Sequence, residues 1–201
     1  MSGRFIAFEG GEGSGKSTQA ARLAAARGAV LTHEPGATPA GRVIRSVLLD
    51  PSLGSLDARA EALLLAADRA EHVSAVIRPA LEAGRDVVSD RYAGSSLAYQ
   101  GYGRGLALAE LRWLSDWAAE GLWPDLVIVL EVPPEEASGR RRAAGAPPDR
   151  LEEAGAEFHS RVVSGYRALA ASEATWVVVD GRGSIEAVSG RVEAAVRALL
   201  V

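Results

Sequence analysis

Phe8-Glu9-Gly10-Gly11-Glu12-Gly13-Ser14-Gly15-Lys16-Ser17-Thr18 lies between two unlike neighbours. The apolar run Phe5-Ile6-Ala7-Phe8 leads into it and reads as a short buried strand, and Gln19–Arg27 follows with a helical pattern. Gly10, Gly15, Lys16 and Ser17 satisfy the phosphate-loop spacing G-x-x-x-x-G-K-[ST] in the strand–loop–helix context it requires. Glycines at Gly10, Gly11, Gly13 and Gly15 let the backbone curl, so that the amides of this loop, with Glu12 and Ser14, can close on phosphate oxygens. A helix starting near Lys16 adds the orphan N–H groups of Lys16, Ser17 and Thr18 and the positive end of its dipole. Lys16 would reach the outer phosphates of a nucleoside triphosphate, and the Ser17 hydroxyl would ligate Mg²⁺. The dinucleotide pattern G-x-G-x-x-G fails in both registers, because Lys16 and Thr18 stand where glycine is needed. Lys16 is also the sole lysine of the chain; every other basic residue is arginine.

Outside that stretch the totals are ordinary. A chain of 201 residues with 48% hydrophobic and 24% charged content fits one globular domain, spanning 1–201. Twenty-two basic against 26 acidic residues give a net charge of -4, which argues against a nucleic-acid partner. Without cysteine, disulfides and thiolate metal sites are excluded. No signal-like leader and no apolar run of membrane-spanning length is present, so a soluble, cytoplasmic protein is expected.

Short apolar runs alternate with helical patterns: strands are expected at Arg4–Phe8, Ala29–Thr32, Asp86–Ser89, Asp125–Glu131 and Thr175–Asp180. This alternation predicts an α/β fold, a five-stranded parallel sheet flanked by helices in three layers. Polar motifs directly follow three strands, at Gly10–Ser17, Glu34-Pro35-Gly36 and Asp90-Arg91-Tyr92, and should converge on one crevice. Asp90, at a strand tip, fits a Mg²⁺ ligand and Arg91 a phosphate clamp; the alternative is a surface ion pair. Ser95-Ser96-Leu97-Ala98-Tyr99-Gln100-Gly101 offers groups for a nucleobase edge, or for a helix cap. Leu65, Arg69 and His72 share a face of a long helix running from Asp57 towards Gly84, kinked near Pro79. On that face Arg69 is either a surface snorkeller, the reading slightly preferred, or an anion ligand. The Gly/Pro-rich segment 139–150, with Arg140, Arg141, Arg142 and Arg150, reads as a solvated charge run or, preferably, as a short mobile lid over the triphosphate. The helix Ser184–Leu200 reads as structural, and His33, His72 and His159 share no ligand spacing and are expected in loops or at the surface.

A single lysine rules out the Asn-Lys-x-Asp motif of a GTPase switch, and no Leu-Ser-Gly-Gly transporter signature occurs. A small-molecule kinase remains. The ordered motifs Phe8–Ser17, Glu34-Pro35-Gly36, Ile44-Arg45, Ala67-Asp68-Arg69, Asp90-Arg91-Tyr92, Ser96–Gly101 and Asp149-Arg150-Leu151-Glu152 span nearly the whole chain and resemble bacterial thymidylate kinase. The resemblance implies ATP + dTMP giving ADP + dTDP with Mg²⁺, a P-loop kinase fold and a homodimer. It implies that Glu12 contacts the 3′-hydroxyl, that Arg45 and Arg91 clamp the acceptor phosphate, and that Arg69 reads the thymine edge beside Ser96. Tyr99 would fill the space of a 2′-hydroxyl, and Pro35, Leu65 and Gln100 would complete the dTMP site. Arg140, Arg142 and Arg150 match lid arginines, with Arg140 or its neighbour also near adenine; Arg150, then Arg142, is expected to neutralise charge in transfer alongside Glu12, Lys16 and Arg91. A kinase for another nucleotide or small molecule, and a nucleotide-dependent switch, are the alternatives.

The chain also departs from the pattern. Gly13 stands where members of the eukaryotic type carry an arginine, His33 replaces the arginine before Glu-Pro-Gly, and Glu131 replaces an Asp. Leu65 takes the place of an aromatic that stacks on thymine, a loss of roughly 0.5–1.5 kcal/mol of ring–ring contact.

Overall fold

In the computed structural model, which describes residues 3–145, 149–151 and 154–199, strands and helices alternate along the chain. They are β1 (Phe5–Glu9), α1 (Lys16–Arg27), β2 (Val30–His33), α2 (Pro39–Leu49), α3 (Ala58–His72), α4 (Arg78–Glu82), β3 (Val87–Asp90) and α5 (Ala93–Ser96). There follow α6 (Leu108–Ala119), β4 (Leu126–Glu131), α7 (Pro134–Ala144), α8 (Ala156–Ser172), β5 (Trp176–Asp180) and α9 (Ile185–Leu199). The strands form one parallel sheet in the order β2-β3-β1-β4-β5. Side-chain alternation on β1 divides the core. Phe5 and Ala7 face a cluster with Ile77, Val87, Leu97, Val129, Phe158 and Tyr166, and Ile6 and Phe8 face one with Leu23, Val88, Ile128, Val188 and Val192. Helices therefore cover both faces, giving the three layers expected.

All five expected strands are present, and each begins one residue later than its sequence pattern. At β1, β3 and β4 polar side chains at the entries explain this: Asp86 accepts from the Arg4 amide at 2.8 Å and Asp125 from the Phe5 amide at 2.7 Å, outside the ladder. At the other ends the polar tips stay in register, with His33 opposite Asp90 and Phe8 opposite Asp90 on the other side. The chain order reverses at β1, whose carboxyl end opens between β3 and β4 onto the crevice where such sheets hold ligands.

Three helical details differ from the sequence pattern. α2 starts at Pro39, capped by Thr38, which accepts from the Gly41 amide at 2.9 Å. The long helix opens on the Asp57 cap and passes through a π-helical turn, Val73–Ile77, before α4; the wider turn, placed ahead of Pro79, absorbs the kink. Residues 139–144, expected in a loop, are the end of α7. The rest of the expected lid at Ala146, Pro147 and Pro148, together with Glu152 of the Asp-Arg-Leu-Glu motif and Leu200, lies outside the described residues. Among the described residues no helix is long and apolar enough to cross a membrane.

Candidate active site

The loop after β1 is shaped at positions that only glycine can occupy. Gly10 has φ 135°, and a Cβ there would lie 2.4 Å from the Leu130 carbonyl oxygen. Gly13 has φ 76°, and its Cβ would lie 2.4 Å from the Ala137 carbonyl oxygen on α7. An arginine at position 13 is thus excluded while α7 rests on the loop, a physical reason for the glycine found there. Gly15, in left-handed conformation, starts α1, so the amides of Lys16, Ser17 and Thr18 point from a helix N-terminus into the crevice.

Lys16 folds back over this loop, donating to the Gly11 carbonyl at 2.8 Å and to Ser14 Oγ at 3.4 Å. Burial, then the Arg91 charge, pulls its pKa down to about 8 against the opposing pull of Glu12, Asp90 and Glu9. Beside it the Ser17 hydroxyl donates to Asp90 Oδ2, while Asp90 Oδ1 is buried without a hydrogen-bond partner. A hydroxyl and a carboxylate with one oxygen to spare are hard donors of the kind Mg²⁺ takes. No three His, Cys, Asp or Glu side chains cluster as a metal site among the described residues, so such an ion would complete its shell from substrate oxygens and water.

Arg91 follows the β3 tip with φ 72°, an uncommon conformation for a side-chain-bearing residue. Its guanidinium donates to Gly10 O (3.2 Å), Ser95 Oγ (3.0 Å), Tyr166 OH (3.2 Å) and Tyr99 OH (3.2 Å), and pairs with Glu12. Burial alone would lower its pKa, but Glu12, Tyr99, Tyr166 and Asp90 together hold it well above the ordinary value. For Glu12 the balance is reversed. Burial would raise it, yet Arg91 and Lys16 bring it down to about 2. Behind Arg91, buried Glu9 accepts from the Tyr92 amide (3.0 Å), the Ser95 amide (2.9 Å), Ser95 Oγ (2.6 Å) and Tyr166 OH (2.9 Å). Burial raises the Glu9 pKa in spite of Arg91 and those donors. The sequence reading gave neither Glu9, inside the phosphate-loop motif, nor Tyr166 a role; Tyr166 sits on α8, 157 residues from Glu9.

Arg69 corrects the preferred snorkeller reading: it is 1% exposed. Nε and Nη2 meet Glu34 at 3.0 and 2.9 Å, Nη2 also donates to Ser96 Oγ at 3.1 Å, and Nη1 donates to Ser115 Oγ at 3.2 Å. Buried charge of this kind survives only when paired and hydrogen-bonded. His72 corrects the surface expectation in the same way, fully buried between Thr32 (2.6 Å) and Glu34 (3.0 Å). His33 does lie at the crevice, largely exposed; partial burial of its ring, then Arg45 beside it, lowers its pKa. Asp68, adjacent to Arg69, accepts from the Gly36 amide at 2.9 Å, and burial followed by Glu34 raises its pKa to about 6. A folded pKa above the unfolded 3.8 means that the folded state binds the proton more tightly, so this contribution to stability falls as pH rises from about 4 to about 6. Asp68→Asn should flatten the thermal-midpoint profile over that window relative to the parent protein, as followed by circular dichroism.

These groups surround one cleft of about 600 Å³. It is lined by Glu12, Gly13, Gly15, Lys16, Ser17 and Thr18 on the loop side and by Pro35, Arg45, Leu65, Arg69, Ser96, Tyr99 and Gln100 opposite, with Asp90, Arg91 and Arg140 between. Gly10, Gly11 and Ser14 lie in the loop behind that lining. Arg45 donates to the Pro35 carbonyl at 2.9 Å. On α7, Arg140 bonds Ser14 O (3.2 Å) and Gly181 O (2.9 Å), and Arg141 reaches Glu12 O at 3.5 Å; both line the cleft. The structure does not bring Arg142 or Arg150 to it. Arg142 is exposed, because on a helix three successive residues cannot share a face. Arg150 is 6% exposed, with Nη1 on Glu61 at 2.5 Å and Nε on the Leu48 carbonyl at 2.8 Å. Glu131, given no role in the sequence reading, pairs with Arg167.

Comparison with known proteins agrees with this geometry. A family model described as thymidylate kinase matches residues 8–192. The chain is similar to the thymidylate kinase of Leifsonia xyli subsp. xyli, 49% identical over 195 residues that cover 94% of this chain and 92% of the relative. It is 47% identical over 208 residues to that of Nitratidesulfovibrio vulgaris, covering 98% of this chain and 97% of the other. In structure it is similar to the thymidylate kinase of Ehrlichia chaffeensis, with TM-score 0.78 and 28% identity over 98% of this chain and 100% of that one. With a family match over most of its length and relatives near half identity, the chain belongs to the thymidylate kinase family.

Proposed function

We propose that this chain carries out its family's reaction, phosphorylation of dTMP to dTDP, with ATP as the donor and Mg²⁺ as the metal, in the cytoplasm. The observation that carries the reading is the cleft itself. A phosphate loop with its ammonium group lines one side, the opposite side offers Arg45, Arg69 and Tyr99, and Arg91 stands between, groups suited to an anionic pyrimidine nucleotide. The amides of Gly10–Thr18 and Lys16 hold the triphosphate. Arg91 and Arg45 fix the acceptor phosphate, the attacking group, so no strong general base is needed. Glu12, kept ionised by Arg91 and Lys16, accepts from the 3′-hydroxyl. Tyr99, buried and bonded to both Arg91 and Glu12, occupies the place a 2′-hydroxyl would need. Arg69 faces the base beside Ser96, with Gln100, Leu65 and Pro35 lining the pocket around it. Arg140 and Arg141, standing on α7 over the loop, supply positive charge near the transferred group. Ser17 and Asp90 would hold Mg²⁺, which when bound neutralises charge on the phosphate oxygens. A coupled assay of ADP release tests the proposal with dTMP, dUMP, UMP and dCMP as acceptors: dTMP should lead, and UMP should trail through Tyr99. ATP consumption indifferent to any monophosphate would instead mark a switch protein.

Leu65 makes the base platform aliphatic, so Leu65→Phe should lower the KM for dTMP by about 2- to 10-fold, the value of one ring–ring contact. An unchanged KM would dismiss stacking at this position. For assembly we propose a homodimer through the α3–α6 face. There Leu63 is 58%, Trp113 67% and Trp117 71% exposed, and the two indoles stack at 6.4 Å. An apolar patch of that kind on a surface calls for a partner, and Trp117→Asp should shift the sedimenting species to monomer.

A further inference from the structure

Glu61 lies on the first turn of α3, wholly buried, and one carboxylate there serves four donor groups from three residues. Oε2 takes Arg150 Nη1 at 2.5 Å and Arg104 Nη2 at 3.1 Å; Oε1 takes Arg104 Nε at 3.1 Å and Gln100 Nε2 at 3.3 Å. Gln100 lines the cleft, buried, and a carboxylate can only accept, so its amide must turn its nitrogen to Glu61. That leaves Gln100 Oε1 as a fixed acceptor, and it is buried without a partner. A buried carbonyl oxygen left open on a binding cleft is set for an N–H that arrives with a ligand. Arg150 is anchored independently of the carboxylate, with Nε on Leu48 O at 2.8 Å and its backbone amide on Leu49 O at 3.3 Å. Its guanidinium therefore pins Glu61 from the α2 side, while Arg104, held over the Phe158 ring at 4.6 Å, pins it from the other.

We propose that Arg150 is a positioning residue of the acceptor site: through Glu61 it fixes the Gln100 amide so that Oε1 receives an N–H of the pyrimidine base, and it does not neutralise the transferred phosphoryl group. The inference rests on the dTMP reading above. A neutralising arginine must touch the reacting phosphate. Here Nε and Nη1 are held by Leu48 O and Glu61, Nη2 is buried without a partner, and the residue is not among those that line the cleft, although its neighbours Asp149 and Leu151 are. Thymine carries a hydrogen on N3 and cytosine does not, so a fixed acceptor at Gln100 also favours dTMP over dCMP.

The test is steady-state kinetics on the full chain with Arg150→Ala, Arg150→Lys, Gln100→Ala and the double variant Arg150→Ala/Gln100→Ala. Arg150→Ala should raise the KM for dTMP about 5- to 10-fold, the effect of one lost hydrogen bond. It should leave kcat and the KM for ATP within about twofold, and narrow the dTMP:dCMP ratio of kcat/KM. Arg150→Lys, which keeps the buried charge, should fall between. In the Gln100→Ala background the Arg150 substitution should add nothing to the KM. A kcat loss of 100-fold or more at unchanged KM would overturn the proposal, as would additive effects in the double variant or equal loss with dTMP and dCMP. If Arg150→Ala does not fold, Arg150→Lys carries the same comparison. Failure of the parent protein to phosphorylate dTMP would fell the functional reading itself, which these outcomes leave separate.

Discussion

Lys16→Met will leave a folded protein whose kcat for dTMP phosphorylation is lowered about 10³-fold, the scale of one preorganised cation or donor removed from a charge-developing centre. The ammonium group is poised over the loop by Gly11 O and Ser14 Oγ, where phosphate oxygens would replace those partners. It is also held there against its surroundings, since burial and Arg91 both disfavour the charged form. Methionine keeps the length of the stem and removes the buried cation, so the thermal midpoint should stay level or rise slightly. Glu12, which Lys16 helps to keep ionised, retains Arg91 as its partner. Two measurements therefore separate function from fold: ADP release at saturating substrates, and a thermal melt. A variant within tenfold of the parent rate would remove Lys16 from the reaction, whereas a midpoint lowered by ten degrees would make its role structural.

Why Lys16 was legible, and other groups were not, follows from distance along the chain. A phosphate loop is local chemistry: the glycines, the lysine and the hydroxyl act within nine residues and a single strand–helix turn, so their spacing is their structure. The alternation of strands and helices was equally local: every strand entry moved by one residue, and the ends of β1, β2 and β3 moved with them, while Asp86 and Asp125 bond the start of β1 from outside the ladder. Arg69 and His72 misled because an arginine in an apolar helix pattern has no local sign of the partners it needs. Glu34, Ser96 and Ser115 come from three other segments and together permit its burial. The roles of Glu9 and Tyr166 were hidden for the same reason. The segment 139–148 was hard to read for another reason. Its glycine and prolines suggested loop, but α7, capped by Pro133 and with Pro134 in its first turn, where proline is tolerated, runs on to Ala144. Helical phase, not proximity in sequence, decides that Arg140 and Arg141 line the cleft and Arg142 does not.

Arg91→Ala should lower kcat/KM for dTMP by about 10³-fold or more, with losses in both kcat and KM, because the same guanidinium binds the acceptor phosphate and balances charge during transfer. Its fork is shared among Gly10 O, Ser95, Tyr166, Tyr99 and Glu12, so its plane is fixed before any ligand arrives. Arg91→Lys should recover less than tenfold of the loss, since a point charge cannot reproduce a planar two-nitrogen clamp. Arg91→Gly separates the side chain from the backbone. At φ 72° a Cβ is strained, so glycine should be as inactive as alanine yet more stable by about 1 kcal/mol. Equal melting temperatures for the two variants would mean that the backbone relaxes on losing the guanidinium. That outcome would place the origin of the φ 72° conformation in the Arg91 side-chain contacts rather than in the turn after β3. A lysine variant near the parent rate would go further and show that charge alone, without geometry, suffices at this position.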